Sequence, residues 1–190
     1  MMMTQKDAMT VLASHRGERI VVTTMTAAGI WPSVSQSPTL DFVLLPSAMG
    51  HAPSLGHGLA LAQPQRGVIV VNGDGCTLMS LGNLVTLANH PANLFIVVMD
   101  NGLYEVTGGQ TTAGAGRTDF AGLARAAGIG RTYKFETLEA WQKGAAEAVS
   151  GTGPALIWLK VEGRHGQKTP KAPWPMKEQV ARLRQALNAG

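Results

Sequence analysis

The 190 residues, 45% of them hydrophobic, suffice for one domain with a full core and are too few for two comfortable ones. Aromatic content is only 5% while glycine reaches 23 residues, a composition that suits helices packed closely on a parallel sheet better than an all-β sandwich. The net charge of +4 is uneven: from Gly163 onward six basic residues face the single acid Glu178, giving that tail +5 and the first 162 residues −1, and without an Arg-and-aromatic stacking pattern this argues against a nucleic-acid partner.

The opening MMMTQKDAMT lacks the basic-then-apolar order of a secretion signal, and no apolar run reaches the roughly 18 residues of a spanning helix, so a cytoplasmic protein without membrane segments is expected. Ala8, Met9, Leu12 and Ala13 recur at helical spacing between Thr4 and His15, and Gly17 ends that element. Ile20 to Thr23 is a buried strand, and the Gly/Pro/Ser-rich stretch that follows, through Pro38, reads as loop with at most one turn of helix. Phe42 to Leu45 is a second strand, and SAMGHAPSLGHGLALA starts a closely packed helix that ends near Ala62. Gly67 to Asn72 and Leu94 to Met99 are uninterrupted apolar strands of the kind buried on both faces of a parallel sheet, and a helix over Thr77–Asn89 joins them. Beyond a GGQ-containing loop come a helix (Phe120–Ala127), a strand (Arg131–Phe135), a helix (Thr137–Val149) and a strand (Ala155–Val161). The Pro-rich KTPKAPWP then leads to an amphipathic helix with Val180, Leu183 and Leu187 on one face. One α/β domain over residues 1–190 is expected, an open and mostly parallel sheet with helices on both faces and a basic tail and helix at 163–190.

Ligands of such sheets bind at the carboxyl ends of the strands. GVIVVN runs directly into Gly73-Asp74-Gly75, and LFIVVM into Asp100-Asn101-Gly102, so Asp74 and Asn101 fall at the same end of the sheet and can share a cation if their strands are neighbours. One carboxylate, one amide oxygen and a backbone carbonyl just after Asn101, that of Leu103, make a hard-oxygen set for Mg²⁺, leaving positions for a diphosphate and water. Gly73 and Gly75 permit a sharp turn and close backbone approach to a phosphate. Taken singly, GDG reads more simply as a strand-to-helix turn with Asp74 as cap, and DNG as a tight turn.

Together, GDG on one apolar strand end and an Asn on the next resemble the cofactor motif of thiamine-diphosphate enzymes, specifically their diphosphate-binding domain. The resemblance implies thiamine diphosphate and Mg²⁺ as cofactors, with Asp74, Asn101 and the Leu103 carbonyl as metal ligands. The family's Asn pair here has Asp100 in its first position. Ser47-Ala48-Met49-Gly50 looks like the segment whose bulky residue wedges between the cofactor rings. Met49 would be the wedge, and the Ser47 carbonyl the acceptor for the exocyclic amine. Ala48, Cys76 and Tyr104 complete the implied contacts, Cys76 packing there rather than reacting. As the only cysteine it also precludes an intrachain disulfide or a cluster ligated by this chain alone.

The run Gly102 to Gln110, with GGQ after DNG, resembles the sulfopyruvate and phosphonopyruvate decarboxylases, which implies a small anionic 2-oxo acid as substrate, giving an aldehyde and CO₂. Glu105 and His51 are the candidates for proton transfer. His57 reads as packed or capped; His15, His90 and His165 have no supporting neighbours, and Arg117 and Lys168 read as solvated surface. The family's activating Glu lies on a pyrimidine-binding domain that this length does not accommodate. The resemblance is therefore to the β subunit of a split enzyme that needs a partner chain, in a heterotetramer or larger. The alternatives are a subunit of an acetolactate-synthase-like carboligase and a non-catalytic cofactor-binding regulatory module.

Overall fold

The structure is a computed structural model and describes residues 2–46 and 49–188. Thr4 opens helix α1 (Gln5–His15) by accepting the Asp7 backbone N–H, and the helix buries Ala8, Met9, Leu12 and Ala13, the spacing expected of its apolar stripe. Strand β1 (Ile20–Thr23) follows. The stretch expected as loop instead forms helix α2 (Met25–Ile30) and two 3₁₀ turns, Trp31–Ser33 and Pro38–Leu40, because Ala27, Ala28 and Trp31 supply a short apolar face that is buried on the sheet. Strand β2 (Asp41–Val43) is shorter than expected: Leu44 still donates to Thr23, but Leu45 turns back onto Val43 ahead of Pro46. Helix α3 (Ala52–Ala62) starts just after His51, and strand β3 (Val68–Gly73) follows it.

The single helix expected over Thr77–Asn89 is two, α4 (Asp74–Met79) and α5 (Gly82–Asn89). The break falls at Ser80, which leaves helical geometry (φ −144°, ψ 48°) just ahead of the weak helix former Gly82. Strand β4 (Leu94–Asp100) runs into a hairpin, β5 (Leu103–Tyr104) and β6 (Gln110–Thr111), around a 3₁₀ turn at Glu105–Thr107. Helix α6 (Phe120–Ala127), strand β7 (Arg131–Phe135), helix α7 (Leu138–Ala148), strand β8 (Ala155–Lys160) and helix α8 (Met176–Asn188) complete the chain.

Six strands form one parallel sheet in the order β2-β1-β3-β4-β8-β7. Alternation of side chains divides the core in two. Val21, Ile69, Val71, Phe95 and Val97 pack with α1, α2 and α7; Ile20, Val22, Val68, Val70 and Ile96 pack with α3, α5, α6 and α8. From β1 the chain moves outward to β2 and then returns past β1 to β3, so the direction of winding reverses between β1 and β3. In open α/β sheets the ligand crevice lies at such a reversal, outside the carboxyl ends of the strands.

The tail is not loose surface. Glu162 N–H donates to Met3 O (2.9 Å), Thr169 Oγ1 to Val106 O (3.2 Å), and Ala172 packs beside Val43 and Leu45. Gln179, buried on α8, accepts from Val43 N–H (2.8 Å) and fixes that helix against β2. The segment therefore crosses the carboxyl edge of the sheet.

Helix α3 reaches the sheet only because residue 56 has no side chain: a Cβ there would collide with Val70 Cγ2 and lie 3.2 Å from Leu94 Cδ1. Gly56→Ala is expected to lower stability by about 1–3 kcal/mol. Urea unfolding followed by circular dichroism measures it, and an unchanged midpoint would show that the helix rides higher on the sheet than the structure has it.

Candidate functional site

Strands β3 and β4 are neighbours in parallel register, with Gly73 opposite Met99, so Asp74 and Asn101 leave the same edge of the sheet side by side. Each turn is fixed locally. Buried Asn72 donates through Nδ2 to Thr77 Oγ1 (3.0 Å), and that hydroxyl donates to Gly73 O (2.9 Å), which sets the entry into α4. Asp100 is tied sideways to β8, accepting from Trp158 Nε1 (2.8 Å) and pairing with Lys160 Nζ (2.8 Å). The next residue, Asn101, is the one that reaches the cavity, its Oδ1 accepting from Leu103 N–H (2.9 Å). The hairpin folds back over the site: Thr112 Oγ1 donates to Asp74 Oδ2 (2.7 Å), and the Tyr104 ring covers Gly75 so closely that any Cβ at 75 would strike it.

Asp74 is 2% exposed and has no cationic partner among the described residues. Burial, reinforced by the Asp100 carboxylate, pushes its carboxyl up to about 6, against the Thr112 hydroxyl bond that lowers it. One carboxylate and one neutral amide oxygen converge here, and among the described residues no three His, Cys, Asp or Glu side chains gather for a metal. That donor set fits Mg²⁺, which takes few protein carboxylates when phosphate oxygens complete its octahedron.

The cavity beside these residues lies at the β1/β3 reversal. Of the residues singled out in the sequence it brings together Met49, Gly73, Asp74, Gly75, Cys76 and Asn101, with Leu103, Tyr104 and Glu105 from the hairpin. Ser47 and Ala48 lie outside the described residues. Cys76 is buried, and burial pushes its thiol up, which keeps it protonated and a poor nucleophile. His51 is exposed, precedes α3 and is not in the cavity lining. His57 bonds through Nε2 to His90 O (2.7 Å), a capped position.

Glu105, a candidate for proton transfer from the sequence, is buried in the turn of the hairpin. It is 3% exposed and accepts from Gln5 Nε2 (2.9 and 3.1 Å), Thr26 Oγ1 (2.8 Å) and Arg164 N–H (2.7 Å). Every partner is a donor, so the carboxylate acts as an acceptor that joins α1, α2 and the tail.

Sequence reasoning missed the other wall. Thr24, Met25, Thr26 and Ala27 follow β1 into the same cavity, and Met25 is the only described non-glycine residue in the left-handed region (φ 50°). A backbone strained in this way concentrates at ligand sites. The signal was present in Thr23-Thr24, a strand end on the same edge as GDG, but its place beside β3 depends on strand order.

Two measurements test these electrostatics. Asp74 holds its proton more tightly in the folded protein than at its ordinary value of 3.8, so its contribution is fully stabilising below about 3.8 and is lost as pH rises through about 6. Metal-free Asp74→Asn should therefore exceed the wild type in stability at pH 8, by on the order of 3 kcal/mol at most, and converge with it near pH 4. A difference independent of pH in thermal melts would refute the shift. Glu105→Gln places an amide among three donors and should cost about 1–3 kcal/mol, with faster hydrogen exchange at Arg164; exchange unchanged at that amide would show that Glu105 does not hold the tail.

Residues 22–159 match the family model described as "Thiamine pyrophosphate enzyme, C-terminal TPP binding domain". The chain is 41% identical over 115 residues to phosphonopyruvate decarboxylase of Streptomyces hygroscopicus, covering 60% of this chain and 28% of that protein. It is 49% identical over 81 residues to sulfopyruvate decarboxylase subunit beta of Methanothermobacter thermautotrophicus, covering 42% of each. The fold superimposes on the thiamine diphosphate-dependent 4-hydroxybenzoylformate decarboxylase of Rhodococcus jostii RHA1 with a TM-score of 0.69 at 17% identity, over 87% of this chain and 34% of that one. The chain thus spans less than half the length of each of these proteins. No helix among the described residues is long and apolar enough to cross a membrane.

Proposed function

This chain belongs to the thiamine pyrophosphate enzymes, carrying their C-terminal TPP-binding domain, and from that premise we propose that it is the diphosphate- and Mg²⁺-binding subunit of a split 2-oxo acid decarboxylase. The observation that carries the reading is the pairing of Asp74 with Asn101 on adjacent strand ends, at the cavity where the sheet reverses its winding. Asp74 carboxylate, Asn101 Oδ1 and the main-chain carbonyl of Leu103 would hold Mg²⁺, and through it the diphosphate. Thiamine diphosphate, when bound, supplies the carbanion chemistry that releases CO₂ from a 2-oxo acid.

The chain's own residues bind, orient and exclude water. Gly75 and Tyr104 form a close-fitting floor, and Thr112 holds the Asp74 carboxylate in place. Met25, Met49 and Met99 give the cavity an apolar, adaptable wall, with Met49 as the wedge against the cofactor rings and Ser47 and Ala48 preceding it. Cys76 packs in the same wall. For proton transfer, Glu105 lies at the cavity with its carboxylate engaged by donors, whereas His51 stands outside the lining. We therefore assign Glu105 an anchoring role in the substrate wall, and His51 a role only if the partner chain closes over it.

Relatives named for phosphonopyruvate and sulfopyruvate support a 3-substituted pyruvate with a second anionic group as substrate, and an aldehyde as product. The beta-subunit naming supports a partner chain, and we assign to it the pyrimidine-binding domain and the activating Glu, in a heterotetramer or larger. A single cysteine and no disulfide framework fit a reducing, cytoplasmic setting.

Calorimetric titration of thiamine diphosphate with Mg²⁺, into this chain alone and mixed with the pyrimidine-domain partner, is expected to show binding that appears or strengthens in the mixture. Asp74→Ala should weaken it by on the order of a hundredfold. The assembled complex should release CO₂ from phosphonopyruvate or sulfopyruvate. Equal, weak binding with and without Asp74 would reduce GDG to a structural turn, and acetolactate-type products would reassign the chemistry to carboligation.

A further inference from the structure

A second cleft, of about 300 Å³, adjoins the cofactor cavity and shares Gln5, Thr26, Glu105 and Val106 with it. Its other wall carries Lys6 from the first turn of α1 and Arg164 and Lys168 from the tail. None of these three cations is ion-paired among the described residues, and all three are exposed to solvent. The sole carboxylate in the lining, Glu105, is engaged by Gln5, Thr26 and the Arg164 N–H. The lining therefore carries three positive charges against one negative, a net +2, in a concave site.

The backbone that carries Arg164 and Lys168 is held over the cleft by the fold. Arg164 N–H is fixed on Glu105 and Thr169 Oγ1 on Val106 O, so residues 164–169 arch across the 3₁₀ turn with both ends tied. The arch starts at Gly163, where a Cβ would lie 2.8 Å from the Asn101 carbonyl, and it passes over Gly109, where one would lie 2.9 Å from His165 Nδ1. Gly109 has φ +73°, so the GGQ turn is shaped to admit the tail. The path of the tail links the metal-ligand loop to the cationic wall.

We infer that this cleft is an anion subsite that receives the phosphonate or sulfonate of the substrate while its 2-oxo end faces the cofactor cavity, with Arg164, Lys168 and Lys6 as the specificity-determining residues. Naming the ligand rests on the proposed function; the existence of an anion site rests on the cleft alone. A guanidinium and two ammonium groups match a tetrahedral oxyanion, which accepts several charge-assisted bonds at once.

Titration of methylphosphonate and methanesulfonate into the ¹⁵N-labelled chain, followed by amide shifts, tests the cleft. Saturable shifts are expected at Gln5, Lys6 and Arg164–Lys168, and none with acetamide. Arg164→Gln/Lys168→Gln should weaken anion binding about ten- to hundredfold, and Lys6→Gln alone should weaken it measurably. Arg184→Gln, an exposed cation on α8, should leave it unchanged. Shifts that do not saturate, or equal weakening by Arg184→Gln, overturn the site. In the assembled holoenzyme the ratio of kcat/KM for phosphonopyruvate to that for pyruvate should fall at least tenfold in the double variant. A constant ratio despite lost anion binding overturns the substrate assignment. A complex that binds anions at the cleft but releases CO₂ from no oxo acid refutes the proposed function and the substrate assignment together, and leaves the anion site standing.

Discussion

A carboxylate buried without a cation beside it is the constraint around which this structure is organised. Among the described residues three acids are buried, Asp74, Asp100 and Glu105, and the fold treats them differently. Asp100 is neutralised by Lys160 and Trp158 on the neighbouring strand, and Glu105 is surrounded by donors. Asp74 receives a hydroxyl and backbone N–H groups but no positive charge, and Asp100 opposes its ionisation. In a medium of low polarity that arrangement costs free energy, which a cation bound beside the carboxylate would offset.

The position of Asp74 follows from the sheet. The apolar runs of β3 and β4 suit central strands, and parallel pairing brings their carboxyl ends to one edge. With β1 on the other side of β3, the reversal of winding opens a crevice that the hairpin after β4 roofs over. Glu105 then ties the roof to α1, α2 and the tail. Elements far apart in sequence meet on one side chain, which lines both the cofactor cavity and the cationic cleft.

Asp74 and Asn101 were legible as a pair because each directly follows an apolar run that ends in a turn signal, and strand polarity does the rest. Thr112 and Thr26 were not, since their part depends on a hairpin folding back and on strand order rather than on local pattern. Lys168 looked solvated because the residues around it are polar and lack periodicity. The hydrogen bonds from Arg164 N–H to Glu105 and from the Thr169 hydroxyl to Val106 O, which no periodicity encodes, place that segment beside the site.

Hydrophobic period and the conformational limits of Gly and Pro act within a few residues of one another, and they suffice for the α/β class, the central strands and the two strand-end motifs. Tertiary structure alone decided the order β2-β1-β3-β4-β8-β7, the helix formed by residues 25–30, the burial of Glu105 and the arch of residues 164–169. Each of these turns on which distant surface a weak local preference is pressed against, and the free energy of that contact exceeds the propensity that could have announced it.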